Sequence, residues 1–375
     1  MKRATQFILA LAIAASAHAT DRVVSPSGTY NTISSAIAAS SDGDRVLVAS
    51  GNYAESISLS KSLSILPLVE GTKYTLAGSL QFQNADGRSI TISGIRIFGN
   101  VTRSGSYATR TEIRILDAYT RSCLLDEPAI RVEFYRDTVD GEIRFSSGTI
   151  AGCLLTGQPL SSTIAKLQGI TVLSEANWIV GNQFGSNTST KKAILVTSLA
   201  TFHVENNVFI DNGSGSSALD LALPTEQMGE ASTILNNSFI KMTAENLPAV
   251  VNSTGVLLNL VMKNNAFVRF SSGMINSVSF WPQLSQSNNV GASPTWLSLV
   301  TGQPVNGSPL INAGDPDPRY LDLDLTTNDV GCYGGSNSRA NFLTPMGSAV
   351  VGFMQAPRVV AQGEAVNINA VGFDR

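Results

Sequence analysis

The sequence predicts an all-β protein built as a right-handed parallel β-helix, a solenoid of stacked coils, with a short capping helix at its N-terminal end. Three observations carry this prediction. Charged residues make up only 14% of the 375 residues, and the abundance of glycine, serine, asparagine and β-branched residues favours strands and turns. An Asn-x-Phe pattern recurs along the chain. Asn-Gly pairs, the usual signal for tight hairpins, occur only at Asn212-Gly213 and Asn306-Gly307.

The repeat itself explains why coils would stack. Its clearest copies begin 25, 30 and 28 residues apart and are Asn182-Gln183-Phe184, Asn207-Val208-Phe209, Asn237-Ser238-Phe239 and Asn265-Ala266-Phe267. Equivalent side chains in stacked coils lie about 4.8 Å apart, so the asparagines can form a hydrogen-bonded ladder and the phenylalanines can stack inside. A second asparagine precedes the last three copies, and asparagine tolerates the left-handed backbone of a bend. Residues 152–155 and 287–290 resemble degenerate copies.

The first 19 residues predict a secretory signal peptide. Lys2 and Arg3 are followed by the short apolar run 7–15, and the small residues Ala17 and Ala19 form a cleavage site before Thr20. The run is too short to span a bilayer, which takes about 20 residues, and no later segment qualifies. We therefore expect an exported chain in the periplasm, outside the cell or at its surface, with no transmembrane segment.

The segment after the cleavage site predicts the cap. Residues 33–38 give a short helix whose apolar face is formed by Ile33, Ala36, Ile37 and Ala38, and Asp42-Gly43-Asp44 ends it before the strand residues Val46 and Val48. Terminal repeats of a solenoid need such a cover over their open end. The helix is therefore predicted to close the first coil.

These segments resemble a known group of proteins. The opening, Gly28 to Ile33, Gly43 to Val48 and Gly51 to Glu55, resembles that of pectin methylesterases, and the asparagine repeat resembles the pectin-lyase-like superfamily of right-handed parallel β-helices. Residues 307–315, 322–324 and 328–334 resemble the closing segment of many bacterial exported β-helix proteins, although Asn312 stands where aspartate is more usual. The resemblance implies a β-helix over residues 20–335. We expect the tail, 336–375, to form strands packed on it.

The enzyme signatures of that superfamily are missing. Neither the Gln-Asp and Asp-Phe-x-Phe-Gly motifs of pectin methylesterases nor the Asn-Thr-Asp, Asp-Asp and Gly-His-Gly blocks of polygalacturonases occur. The stretch 248–290 contains no acidic residue, so clustered aspartates of the pectate lyase type are absent there. These absences favour a protein without catalytic activity.

Charge, histidine and cysteine content exclude further classes. Removal of Lys2 and Arg3 takes 25 basic residues to 23 against 28 acidic ones, so the net charge falls from −3 to −5, which argues against nucleic acid as a partner. His203 is then the one remaining histidine, which excludes histidine-rich metal sites. Cysteines 123, 153 and 332 are odd in number, so at least one is unpaired or pairs with another chain, and one disulfide is possible in an oxidising compartment. We expect Cys153 to be a buried apolar residue.

Two charged regions are candidate sites. Strands over residues 112–115, 130–134 and 142–145 alternate charged and apolar residues, which would place the charged members on one surface, where Tyr135 could join them, if the strands are neighbours. That surface would bind an acidic or hydroxyl-rich glycan, or be a plain ladder of ion pairs; its members are Glu112, Arg114, Arg131, Glu133, Tyr135, Glu142 and Arg144. The second region is an oxygen-rich cluster that would hold Ca²⁺ or close the last coil as turns, formed by Asp315, Asp317, Asp322, Asp324, Asn328 and Asp329.

Three functions remain open at this point. The favoured one is a non-catalytic exported protein that binds a polysaccharide or cell-surface glycan or serves as a surface or matrix component. The alternative is a divergent polysaccharide lyase or glycoside hydrolase that uses the carboxylates of residues 112–142. The third is an adhesin, which is disfavoured because the sequence shows no sorting motif or transmembrane tail.

Overall fold

The chain folds as the predicted parallel β-helix. Successive coils contribute one strand to each of three long parallel sheets. The computed structural model describes residues 19–157, 163–167, 177–186, 192–197, 201–211, 218–221, 231–242, 251–253, 259–269, 275–277, 284–343, 349–357, 360 and 362–374. The predicted signal peptide, up to residue 18, lies outside the described residues. No helix in the described ranges is both long enough and apolar enough to cross a bilayer.

Strands enter the sheets in rotation, so each sheet collects every third strand of the chain. The described part of the first sheet has 12 strands: β1 (Asp21–Val24), β2 (Arg45–Val48), β5 (Ser64–Pro67), β8 (Ser89–Ser93), β11 (Thr111–Leu116), β14 (Ile130–Tyr135), β17 (Ser147–Ala151), β20 (Asn177–Val180), β23 (Phe202–Glu205), β26 (Ser232–Leu235), β29 (Leu260–Lys263) and β32 (Leu284–Ser287). The second sheet has 11: β3 (Asn52–Tyr53), β6 (Tyr74–Leu76), β9 (Ile95–Ile97), β12 (Tyr119–Thr120), β15 (Thr138–Val139), β18 (Leu154–Leu155), β21 (Gln183–Ser186), β24 (Val208–Asp211), β27 (Ser238–Lys241), β30 (Ala266–Val268) and β33 (Val290–Ala292). The third has 10: β4 (Ile57–Leu59), β7 (Leu80–Gln83), β10 (Val101–Ser104), β13 (Cys123–Leu125), β16 (Ile143–Phe145), β19 (Thr163–Leu167), β22 (Lys192–Val196), β25 (Leu219–Leu221), β28 (Val251–Ser253) and β31 (Ile275–Ser277).

The predicted N-terminal cap is present as the helix α1 (Ile33–Ala39), which buries Ile33, Ala36 and Ile37 against the first coil, whereas Ala38, predicted on the same face, is exposed. The Thr32 hydroxyl accepts a hydrogen bond from the amide of Ser35, which caps the helix. The Glu55 carboxylate accepts two more, from the amides of Ile33 (2.7 Å) and Ser34 (3.0 Å). Glu55 therefore ties the helix to the second coil and satisfies amides that the helix leaves unpaired.

A ladder of buried asparagine side chains links successive coils, as the repeat predicts. Each side-chain amide donates to the carboxamide oxygen of the next member, over 2.9, 3.1, 3.0 and 2.9 Å, in the order Asn182, Asn207, Asn237, Asn265 and Asn289. Each carboxamide oxygen also accepts the main-chain amide of the member before it. Because the three inner members are each bonded to both neighbours, a one-residue slip of a coil between them would break several buried hydrogen bonds.

The phenylalanines of the repeat stack inside the coil. The rings of Phe184, Phe209, Phe239 and Phe267 follow one another with centroids 4.7, 4.7 and 5.1 Å apart and nearly parallel planes. They belong to one continuous core that runs along the helix from the capping residue Ile33. The ladder and the stack therefore share one register.

The bend between the first and second sheets, which we call the corner, has a left-handed backbone in coil after coil. Its residues have φ between 51° and 66° and are Gly94, Asp117, Arg136, Gly152, Gly181, Asn206, Asn236, Asn264 and Asn288. Asparagine and glycine are the residues that adopt this conformation at least cost. The second asparagine of each repeat is thus confirmed as a bend residue.

Residues 293–343, which we call the strap, leave the coil after β33 and pack back along its outside. The strap contains a short 3₁₀ turn (Pro318–Tyr320) and the helix α2 (Ala340–Leu343). Its residues Leu297, Leu310, Val330 and Cys332 share an apolar cluster with the outward side chains of the second sheet. The strands of the coil therefore end at Ala292, short of the predicted boundary at 335.

Corner asparagines hold the strap in place. The Asn206 side chain donates to the carbonyl oxygen of Cys332, the Asn236 side chain donates to the Asn328 oxygen, and the Asn264 oxygen accepts the amide of Asp315. Further along, the backbone at Gly152 and Gly181 lies against the side chain of Phe342, where an added Cβ would come within 2.8 Å of the Phe342 Cβ at Gly152 and within 2.2 Å of a ring carbon at Gly181. Glycine at these two corners thus makes room for the end of the strap.

The last described element is an antiparallel hairpin of β34 (Ala349–Gln355) and β35 (Asn369–Asp374). Its Phe353 and Val371 pack on the outward face of the first sheet, in a cluster with Trp178 and Tyr135. The hairpin and Phe342 together cover the side of the first sheet nearest the corner.

We expect the ladder to dominate stability. Replacement of Asn237 by alanine removes four buried hydrogen bonds and should lower the free energy of unfolding by about 3 kcal/mol, because buried donors and acceptors are left unpaired. The matched control is Asn289→Ala at the half-buried end of the ladder, which should cost about half as much on the same reasoning. Urea unfolding measures both, and equal losses would contradict a cooperative ladder.

All three cysteines are free and buried, and burial raises the pKa of Cys123 to about 12 and of Cys332 to about 11. We expect no thiol to react with a disulfide reagent in the native protein and all three to react after denaturation. A denatured protein with one reactive thiol would contradict this assignment.

Candidate functional site

Two of the three predicted charged strands are neighbours. β11 and β14 pair in the first sheet so that Glu112 lies beside Arg131 and Arg114 lies beside Glu133. Opposite charges thus alternate both along and across the strands. The four side chains share one outward surface, as the alternation predicts for these two strands.

Glu133 is the centre of this group. Its two carboxylate oxygens lie 2.6 Å from Nε of Arg114 and 3.4 Å from Nε of Arg131, and the Arg114 guanidinium also contacts Glu112 at 3.0 Å. The Glu133 side chain is only 6% exposed, whereas that of Glu112 is 37% exposed. A nearly buried carboxylate thus lies between two guanidiniums, both of which can donate charge-assisted hydrogen bonds to it.

The other three members of the predicted surface lie elsewhere. Glu142 and Arg144 pair with each other at 3.1 Å at the start of β16, which belongs to the third sheet. Tyr135 is 1% exposed and packs beneath the hairpin. The alternation of residues distinguishes inside from outside, but it does not specify which sheet a strand joins or which outward residues a distant segment covers.

The predicted calcium cluster forms part of the strap, where each carboxylate has a protein partner. Asp315 pairs with Lys263 at 2.8 Å and Asp317 with Arg319 at 2.6 Å. Asp322, Asp324 and Asp329 accept main-chain amides of Asp329, Thr326 and Asn312. Among the described residues no three acidic, histidine or cysteine side chains come together as a metal site would require. This geometry corresponds to turn formation around the last coils.

Burial perturbs two of these strap carboxyls. It raises the pKa of Asp322 to about 6, and it also raises the pKa of Asp329. The hydrogen bonds from Arg319, by contrast, lower the pKa of Asp317 to about 2. The carboxyl groups of the strap therefore differ widely in their pKa values.

His203 lies outward on β23 and stacks on Trp178, with ring centroids 4.1 Å apart. Its Nδ1 is 2.8 Å from the Thr233 hydroxyl, which donates to Glu205 over 2.9 Å. The ring of the hairpin residue Phe353 is tilted against the Trp178 ring, with 5.3 Å between their centroids. The histidine is therefore held in place by a packed, hydrogen-bonded cluster.

The corner is covered unevenly along the helix. The strap and Phe342 lie over it from Gly152 to Asn264, whereas a cavity of about 250 Å³ opens at its earlier coils, at Gly94 and Asp117. We call this region the open corner. Its lining residues are Pro67, Gly71, Thr72, Lys73, Ser93, Gly94 and Asp117.

Charged groups surround the open corner. Asp117 accepts two hydrogen bonds from Arg136, over 3.0 and 2.9 Å. Lys73 is exposed on the loop that precedes β6, and no ion pair of its ammonium group occurs among the described residues. Ser93 lies beside Leu116 in the first sheet, two residues along from the position of Arg114. The lining therefore includes polar side chains and an accessible cation.

Aromatic side chains border the same region on the second sheet. Tyr119 follows Asp117 by two residues and lies 6.4 Å from the ring of Phe98, which is 49% exposed. The Arg96 guanidinium lies 5.7 Å from the Tyr119 ring centroid. Sequence reasoning missed this group, because single exposed aromatics on strands have no signature until the sheet places them together.

Comparisons with known proteins add little about activity. No family model matches the chain, and no curated protein sequence matches it. Among solved structures, the crystal structure of pectate lyase Pel9A is similar over 84% of this chain and 96% of that chain, with 13% sequence identity and a TM-score of 0.46.

The charged surface is expected to contribute to stability through Glu133. Replacement of Glu133 by glutamine should lower the free energy of unfolding by about 2 kcal/mol, because two partly buried guanidiniums lose their shared counter-charge. Glu112→Gln is the matched control, and it should cost below about 0.5 kcal/mol because that pair is exposed. Urea unfolding compares them, and equal effects would contradict the central role of Glu133.

Proposed function

We propose that this chain is an exported, non-catalytic β-helix protein that binds an acidic polysaccharide or cell-surface glycan at the open corner. The single observation that carries the proposal is the uncovered stretch of the corner, which combines a cavity of about 250 Å³, the exposed Lys73 and the bordering rings of Phe98 and Tyr119. Small-molecule sites combine a concave surface with a few polar groups in this way. Aromatic rings offer apolar faces to sugar rings, and cations attract their carboxylates.

The position of the site on the solenoid also supports the proposal. Solenoids present extended surfaces over several coils. Tyr119 of β12 and Leu154 of β18 lie in one column of the second sheet with Thr138 of β15 between them, and the exposed Phe98 directly follows β9. An extended chain of sugars could contact several coils at once. Such a ligand would lie along the part of the second sheet that the strap leaves uncovered.

The carboxylates near the open corner favour binding over cleavage. Glycoside hydrolysis needs one protonated and one ionised carboxyl group facing the scissile bond. Here Asp117 is paired with Arg136, and Glu133 and Glu112 are paired with Arg114. Groups held in ion pairs are poorly placed to give or take protons, so a binding role agrees better with this geometry.

The test is affinity electrophoresis and calorimetry of residues 20–375 with polygalacturonate, alginate and a neutral β-glucan. We expect retention by an acidic polymer, and about a tenfold weaker affinity for Lys73→Ala and for Tyr119→Ala, a loss of about 1.4 kcal/mol each. The control is Leu323→Ala, which truncates an exposed apolar side chain on the strap and should bind as the wild type does.

Two results would contradict the proposal. If none of the polymers retains the protein, the binding role is ruled out. New reducing ends or new ultraviolet absorbance during incubation would show cleavage, and the hydrolase or lyase alternative would then replace it. In that case Glu112, Glu133, Arg114 and Arg131 become the residues to substitute first, since they group carboxylates with arginines on one face.

A further inference from the structure

The asparagine ladder follows a fixed hydrogen-bonding rule. The carboxamide oxygen of each member accepts the main-chain amide of the residue in the same place one coil earlier, as Asn182 does from Cys153 at 2.8 Å. The side-chain NH₂ donates to the carbonyl three residues before that place. Asn182 donates to Ile150, Asn207 to Ile179 and Asn237 to Val204 in this way.

Asp137 occupies the same place in an earlier coil. The register of β14 with β17 puts Arg136 beside the corner glycine Gly152 and Asp137 beside Cys153, the residue before Asn182 in the ladder. One Asp137 oxygen accepts the main-chain amide of Ala118 over 2.7 Å, as the rule requires of a ladder member. The other oxygen, Oδ2, is buried and accepts no hydrogen bond from any described residue.

The rule also identifies the group that Oδ2 should meet. The acceptor lies three residues before the equivalent position of the previous coil. For Asp137 that position is Ala118, and the acceptor is the carbonyl of Ile115. A carboxylate oxygen and a carbonyl oxygen repel each other, whereas a protonated carboxyl group has a hydrogen to donate.

We infer that Asp137 is a neutral carboxylic acid in the folded protein and takes the place of a ladder asparagine, its Oδ2–H donating to the main-chain carbonyl of Ile115. The carboxyl group thereby supplies both the acceptor and the donor that a carboxamide supplies elsewhere in the ladder. Folding of the chain then takes up a proton at this residue.

The surroundings of Asp137 support a neutral form. The residue is 1% exposed, and burial, followed by the charge of Asp117, raises its pKa well above the usual value. The facing cations are Lys73 and Arg136, and Arg136 is already paired with Asp117. The two thiols that face it, Cys123 and Cys153, are buried and have raised pKa values, so they stay neutral as well.

The sign of the resulting pH dependence follows from linkage. An unfolded aspartate ionises near pH 3.9, whereas the folded residue keeps its proton to a higher pH. Between these two values the unfolded state loses a proton that the folded state retains. The unfolding equilibrium constant therefore rises up to tenfold per pH unit as pH increases, until the folded residue ionises too.

The experiment compares the urea unfolding of the wild type and Asp137→Asn between about pH 5 and pH 8. Asparagine carries its donor at every pH, so the ratio of the two unfolding constants isolates this residue. We expect the wild type to become less stable than the variant by up to tenfold per pH unit as pH rises. A ratio that stays constant over this range would overturn the inference.

A control variant and an infrared measurement complete the test. Asp324→Asn changes an exposed carboxyl whose pKa is lowered by its hydrogen bonds with Thr326, so its ratio to the wild type should not change over the same range. Infrared spectra of wild-type protein labelled at its aspartate carboxyl groups test the protonation state directly, without a substitution. A protonated carboxyl band at about pH 8, where Asp322 is ionised, supports the inference, and carboxylate bands alone would overturn it.

Discussion

The hydrogen-bonded asparagine ladder is the constraint on which the rest of the molecule depends. Its members bond to the coil before and the coil after, so they fix the register of β20 to β33. Once the register is fixed, the four stacked phenylalanines follow, because they lie two residues further along each copy. The left-handed corner residues, one place before the ladder, then point their side chains outward, where three of them bind the strap.

The sequence was enough to predict these features because they repeat. The spacing of Asn207, Asn237 and Asn265 predicted the coil, the ladder and the bend before any long-range contact was known. The same reasoning did not identify Asp137 as a member of the ladder. Its neighbours in the column are Ala118 and Cys153, and the loss of asparagine on both sides hides its membership until the register is known.

Only part of the candidate surface was predicted, because alternation along a strand shows which side chains point outward but not which sheet the strand joins or what covers it. Alternation correctly placed Glu112, Arg114, Arg131 and Glu133 outward, since side chains of successive strand residues point to opposite faces. It could not assign β16 to the third sheet, because that depends on the length of the turn before it. Nor could it predict the burial of Tyr135, because its cover comes from Phe353, more than 200 residues later in the chain.

The strap has a consequence for the order of events during folding. Its anchors lie on the corner at Asn206 and Asn236, between 92 and 128 residues earlier in the chain. The coils must therefore already be stacked before the strap has a surface to dock on. Until then Val208, Ile240, Ala266 and Val268 present an apolar stripe to water. A chain that folds from its N-terminus therefore passes through a stage in which the stacked coils expose an apolar surface that can aggregate. Docking of the strap covers this surface.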